Sequence, residues 1–439
     1  MANLEYIPAY NSLYFGTRAF SEELNYVLAM KTKRFNFTRV AVSIIFFISV
    51  INASAQWPQW RGPLRDGISK ETNLLKVWPA EGPKFAWSSD TVGDGFSSTS
   101  IQDETVYTTG KRDSIEILTA LDLKGNLKWQ RVIGRASKDK DWPQSRCTPT
   151  VYKNKVYAIT VLGDIACVDS KSGKIDWKMT AYEKFDGKGY NLEAGGIAES
   201  PLVVDDKLII TPCGHTTTMV ALNRLTGNTI WKSESVHDTT AFTSPVLFPV
   251  KNKKTIFTST KKNDLIVDYN TGKIIWKDKN ISGFIPVVNN NQIYFTGAYK
   301  KGGTLCSWND QLSKRAVVWQ DTVSANQIGG AVLLNGKIVV SGNSRGLVCL
   351  DLKTGKILSH YDRISYCNLI VADNMIYCYE DQHGRVCLFK LEGNNLELVS
   401  SFKITTGSGP RVAHMAIANG LLFIRHGKVL MAYNLRQQS

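Results

Sequence analysis

What the 439-residue sequence lacks narrows its function first. It has no Cys-x-x-Cys spacing, so no zinc site of the thiolate kind is readable. Only six His occur, no two of them at ligand spacing, and no Ser-His-Asp arrangement supports hydrolase chemistry. Nothing between the repeats described below has a 3.6-residue hydrophobic period, which removes helical solenoids. Carboxylates are scarce: 38 Asp and Glu stand against 53 Lys and Arg, a formal charge of +15. That surplus favours anionic partners or surfaces. The groups Lys251-Asn-Lys-Lys254, Lys261-Lys262 and Lys300-Lys301 fall in separate hairpin loops rather than one stripe. They read as solvated surface, with no nucleic-acid partner implied.

What is present is a repeat. From Val151 to Trp177 the residues alternate in character with period two, broken by Gly163-Asp164 and by Asp169-Ser-Lys-Ser-Gly173. The second break is a turn with a mechanism. An Asp carboxylate accepts from backbone N–H groups just ahead, and a Gly supplies the positive φ. The turn recurs before Trp129, Trp231 and Trp276, and at Leu350–Ser359 without its Trp. Trp87, Trp129, Trp177, Trp231, Trp276 and Trp319 are spaced by 42, 48, 54, 45 and 43 residues. A sheet this small cannot hide its own faces, and repeats of about 40–45 residues indicate propeller blades.

Innermost strands start near Ser97, Thr148, Ser200, Ser244, Ile285, Gly330, Asn368 and Met415, which predicts an all-β, eight-bladed propeller of four-stranded antiparallel blades. The last repeat stops before its Trp strand, while Gly82–Trp87 holds a Trp strand with nothing before it. The N-terminal strand is therefore expected to complete the C-terminal blade, leaving no long open edge.

The chain divides into residues 1–29, read as a misassigned start; 30–55, a signal peptide; 56–81, a strap rich in turns; and 82–435, the propeller. Met30 to Arg39 is basic, Val40 to Ile51 is apolar, and Ala53-Ser-Ala55 fits a cleavage site. This predicts a periplasmic or secreted monomer with no transmembrane span after cleavage; an uncleaved signal anchor is the alternative. Eight Cys in an exported chain admit one or two disulfides. Yet Cys167, Cys306, Cys349 and Cys387 take the repeat position of Ala120 and Ala221, as small apolar filler would.

The opening Gln56-Trp-Pro-Gln-Trp-Arg-Gly-Pro63, followed by repeats of Leu-Asp-x-x-x-Gly-x-x-x-Trp type, resembles the exported pyrroloquinoline-quinone-like (PQQ-like) propeller proteins. That superfamily includes quinoprotein alcohol dehydrogenases and the propeller lipoprotein of the outer-membrane protein assembly machinery. The resemblance is specific for fold and weak for function. The long loops 130–146, 178–199 and 400–414 leave the outer strands on one face, where function usually resides. They carry the candidate ligand- or cofactor-binding residues Trp142, Arg146, Tyr190, Asn191, Glu193, Glu199, Arg411 and His414. The resemblance implies PQQ with Ca²⁺, for which Asn191, Glu193 and Glu199 would offer oxygens and Trp142 or Tyr190 a stacking plane. Against it, the dehydrogenases' adjacent cysteine pair is absent. The favoured reading is a binding or scaffold propeller for an envelope protein or anionic glycan; a PQQ-dependent oxidoreductase is the alternative.

Overall fold

Short alternating segments joined by reversing turns can only zip into antiparallel hairpins, and the chain does so throughout. The computed structural model describes residues 56–138, 144–187, 196–281, 285–297, 302–324, 326, 329–342 and 346–437. Blade 2 shows the unit: Thr150–Tyr152, Lys155–Ile159, Asp164–Asp169 and Ile175–Thr180 pair in sequence order. Its first turn places Lys153 and Asn154 at φ 46° and 62°, the primed geometry that suits twisted strands.

Eight such sheets form the propeller, as the repeat count predicts. Blades 1 to 8 comprise residues 100–135, 150–180, 202–232, 246–279, 286–320, 331–361, 367–403 and 416–434. Buried apolar clusters fill the gaps between neighbouring blades, such as Tyr107, Leu118, Val156 and Ala166 between blades 1 and 2. Strand Lys84–Ser89 pairs antiparallel with Val429–Asn434, with Phe85 opposite Tyr433 and Ser88 opposite Met431. The N-terminal strand is thus the outermost strand of blade 8, and the ring closes as expected.

The repeated turn does a second job. Asp169 Oδ1 accepts from the Ser172 N–H at 3.0 Å and its hydroxyl at 2.8 Å, holding Gly173 at φ 69°. The indole of Trp129, from the previous blade, lies over that turn and donates to the Ser170 carbonyl at 3.0 Å. Trp87, Trp177, Trp231 and Trp319 donate likewise to Leu123, Arg224, Tyr269 and Leu352. Each Trp therefore locks its blade to the next. All eight cysteines are buried and free, so the disulfide option is not realised.

The strap lies deeper than its sequence indicates. Trp57 pairs with Ile101 of blade 1, Pro58 accepts from Val151 of blade 2, and Gly67 and Ser69 bond Val371 of blade 7. Ser69 Oγ donates to Ile417 of blade 8. These partners all lie on innermost strands, whose free edges face the channel, so the strap runs in the channel and caps those edges. Arg65 Nη1 donates to Ser200 and Pro245 carbonyls at 3.1 and 2.9 Å, and Nη2 to Pro201 at 2.6 Å. Arg61 reaches the opposite wall, donating to Gly329 and Ala331 of blade 6. Both are fully buried, and desolvation lowers Arg61 to about 10 and Arg65 to about 9, with Asp66 and Glu199 opposing the shifts. Both remain cations at neutral pH.

Candidate functional site

Each blade sends two connections to one face: the turn between its second and third strands, and the loop from its outer strand to the next blade. The described parts of the long connections, 136–138, 144–149, 181–187, 196–201 and 404–415, lie here, and so do 90–99, 233–245, 321–324 and 329–330. Around the channel at this level runs a chain of hydrogen bonds between blades. Ser98 N–H donates to Thr148 Oγ1 at 3.0 Å, Thr148 N–H to Ser200 Oγ at 3.0 Å, and Ser200 N–H to Ser244 Oγ at 2.9 Å. Ser98 Oγ donates to the His414 carbonyl at 2.6 Å, which carries the chain to blade 8.

The candidate residues from the sequence divide by place. Trp142, Tyr190, Asn191 and Glu193 lie outside the described residues. Glu199 is buried and accepts from the Thr211 N–H at 2.7 Å. Burial lifts its carboxyl to about 7, opposed by the bond from Thr211 and the charge of Arg65. Glu116, buried in blade 1 and not singled out by sequence, is its counterpart. It accepts from Val161 N–H at 2.8 Å, and burial lifts it to about 7, with Asp164 adding to the shift and Arg146 opposing it. Cys147 lies in the fields of both acids and of Arg146, and burial pushes its thiol well up, so it is no nucleophile at neutral pH. Arg146, Glu116, Cys147 and Glu199 thus share the wall of blades 1 to 3.

The other two lie in the connection from blade 7 to blade 8. Arg411 Nη1 donates to the Asp381 and Gln382 carbonyls, each at 3.2 Å. His414 meets the strap: its ring stands edge-on to Trp60, with centroids 5.6 Å apart and planes at 74°. The geometry gives Glu199, Arg411 and His414 contacts that brace the scaffold.

The quinone with Ca²⁺ implied by the resemblance needs several oxygen ligands and an aromatic plane converging near the channel. In the described residues the channel instead holds the guanidinium groups of Arg61 and Arg65, which are cationic donors, and Glu199 is committed to Thr211. These residues do not fit that group. One pentapeptide, Gly342-Asn-Ser-Arg-Gly346, has the spelling of a hydrolase nucleophile elbow. Gly342 and Gly346 are paired on adjacent strands of blade 6, whereas the elbow requires a strand-to-helix turn.

Sequence reasoning missed one grouping. Cys213, Gly214 and His215 from blade 3, His237–Thr239 from the following loop, and Lys261-Lys262 from blade 4 line one cavity of about 270 Å³ on the loop face. The legible signal was phase: all three segments are connections of the same face in neighbouring blades.

Known proteins agree with this architecture. A family model described as outer membrane protein assembly factor BamB matches residues 80–212 and 215–408. BamB from Moraxella catarrhalis superposes with a TM-score of 0.55 at 15% identity, covering 81% of this chain and 98% of that one. The quinohemoprotein alcohol dehydrogenase ADHIIG from Pseudomonas putida HK5 gives 0.59 at 11% identity, covering 88% and 81%. A europium-containing methanol dehydrogenase gives 0.57 at 12% identity, covering 85% and 90%. No curated protein matches the sequence. At these identities the solved structures speak for the fold alone. Among the described residues no helix is long and apolar enough to cross a membrane. The family model takes in most of the chain and runs through seven blades into the approach to the eighth, and on that ground the chain belongs to the PQQ-type propeller family described as outer membrane protein assembly factor BamB.

Proposed function

We propose that this protein is an exported binding propeller, a scaffold rather than a catalyst, that takes an envelope protein or an anionic glycan on its long-loop face. The observation that carries this reading is the filling of the channel by the strap. Arg61 and Arg65 put cationic donors, not oxygen ligands, into the channel, and they hold main-chain carbonyls at the starts of blades 3, 4 and 6. Binding then falls to the loops, and the net positive charge favours an acidic partner. The basic, apolar and small-residue order of residues 30–55 supports export, and the family description names an assembly factor. Glu199, Arg411 and His414 brace that face; Arg146, Trp142, Tyr190, Asn191 and Glu193 are the contact residues the sequence offers for it.

A photo-crosslinking residue placed at Phe242 or Arg411 on the loop face, and at Lys353 on the opposite face, tests it. Discrete adducts from the first two positions only are expected. Adducts from Lys353 alone would overturn the reading. So would a rise in melting temperature with PQQ and Ca²⁺ accompanied by alcohol-dependent dye reduction.

A further inference from the structure

The cavity between blades 3 and 4 is built from three segments that fix one another. Asp238, itself buried, is the centre of the construction. Its Oδ2 accepts from Thr260 Oγ1 and Lys262 N–H, both at 2.6 Å, and from Asn263 Nδ2 at 3.1 Å; its Oδ1 accepts from Thr239 N–H at 2.8 Å. Lys261 N–H donates to the Thr239 carbonyl at 3.0 Å. The loop 237–239 and the turn 261–262 are therefore one body. Ser235 Oγ donates to Gly214 O at 2.8 Å and accepts from His237 N–H at 3.1 Å, tying the blade 3 turn to the same loop.

The backbone is held in costly shapes here. Cys213 and His237 have φ of 52° and 50°, a left-handed conformation that costs a non-glycine residue about 1 kcal/mol or more. Gly214 approaches Phe185 O so closely that a Cβ there would come within 1.8 Å. Strain maintained by cross-bracing is characteristic of binding sites, where a fixed shape matters more than local stability.

Donor groups outnumber acceptors on the cavity rim. Four donors occupy the carboxylate of Asp238, so it presents little acceptor capacity to the cavity. The rim also carries Lys261, Lys262 and the rings of His215 and His237, all able to donate, with His215 Nε2 3.8 Å from the exposed Asp186 carboxylate. The Lys262 amine has no hydrogen bond or ion pair among the described residues. A volume of about 270 Å³ is below the usual range for drug-sized ligands and suits one sugar-sized molecule.

We propose that this cleft is an oxyanion site, taking the carboxylate or phosphate of a small acidic ligand between Lys261, Lys262, His215 and His237. The proposal rests on the reading of the loop face as the binding surface, and it names the chemistry that face selects. The two oxyanion sources are separated by titrating the full protein calorimetrically with glucuronate, glucose 6-phosphate and glucose. Saturable one-to-one binding of at least one acid, and none of glucose, is expected. Lys261→Glu with Lys262→Glu should weaken binding about tenfold or more, and His215→Gln several-fold, with melting temperatures unchanged. The control pair Lys353→Glu and Lys356→Glu makes the same change of charge in an exposed turn on the opposite face and should leave affinity as it was.

Equal weakening by both pairs would reveal diffuse charge and overturn the site. Failure of both acids to bind at about 10 mM would overturn it as well. In either case, loop-face crosslinks that persist would leave the broader reading standing, whereas their loss would remove both.

Discussion

Gly173 and Trp129 are in contact across the boundary of blades 1 and 2: a Cβ built on the glycine would lie 2.7 Å from the indole ring. The same approach, within 2.6 to 3.0 Å, joins Gly125 to Trp87, Gly227 to Trp177 and Gly355 to Trp319. Glycine is required there twice over, by a φ of 69° and by the face of a ring. Blade 5 departs from the rule. Leu312 takes the positive φ at 61°, and Trp276 instead meets Trp308 edge-on, 5.3 Å away at 90°. Substituting Gly173→Ala should cost about 2–4 kcal/mol, from left-handed strain together with displacement of the indole. The midpoint of urea unfolding measures it, and an unchanged midpoint would show that the Trp contact does not hold the blades.

Arg65 reaches three carbonyls of blades 3 and 4 with one planar fork. A lysine carries the same charge but cannot span those acceptors. Arg65→Lys is therefore expected to destabilise the protein by about 2–3 kcal/mol, the cost of stranding buried carbonyls. It should also raise hydrogen exchange at Val151 and Val371, whose amides bond the strap. Exchange and stability equal to the parent would mean that the strap holds its place without this anchor.

Much of the ring was legible because it is built from local chemistry. The Asp turn, its glycine and the Trp that follows are read within ten residues, and counting strands gave the closure of Lys84–Ser89 onto blade 8. The strap was legible only as an irregular segment. Nothing near Arg61 or Arg65 announces that their partners are backbone carbonyls as much as 270 residues away. The cleft escaped for a related reason. His215, His237 and Lys262 are far apart in sequence and meet only because neighbouring blades present corresponding connections to one face. Glu199 reads from the sequence as a loop carboxylate with an oxygen to offer a ligand, yet it is buried and accepts from Thr211, since burial depends on the tertiary fold and not on the local pattern.

The buried acids predict a pH dependence. Glu116 and Glu199 have an ordinary value of 4.5 and are raised to about 7 in the fold, first by burial. The folded state thus holds protons that the unfolded chain has released, so stability falls as pH rises across this interval. Their contribution is complete below pH 4.5 and lost as pH rises through about 7. Glu380 runs the other way: burial raises it, but the bonds from Arg385 prevail and hold it at about 2, so its effect is confined to acid below that window. Replacing both Glu116 and Glu199 by Gln should flatten the decline in urea midpoint between pH 5 and 8. A parent and double variant with parallel profiles would refute the assignment.

The closure of the ring gives the last prediction. Blade 8 owns only three strands of its own, Ala416–Ala418, Leu421–His426 and Val429–Asn434, and its fourth comes from the other end of the chain. Two further contacts cross the same boundary, the first of them from the strand itself. Trp87 donates to Leu123 of blade 1 at 2.7 Å, and the buried Arg425 of blade 8 donates to Ser97, Thr108 and Thr109 on the blade 1 side. Deleting residues 82–90 would remove the outer strand, expose the edge of Val429–Asn434 and cut the blade 8 to blade 1 lock together. A repeat ring has no other seam where a single segment carries all three. The deletion should therefore yield a protein that aggregates or melts far below the parent. Adding a synthetic peptide of residues 82–90 in trans should recover part of the loss, because the missing strand needs only to pair with its edge. Stability equal to the parent without the peptide would mean that blade 8 stands on three strands and that the N-terminal strand is not the closing element.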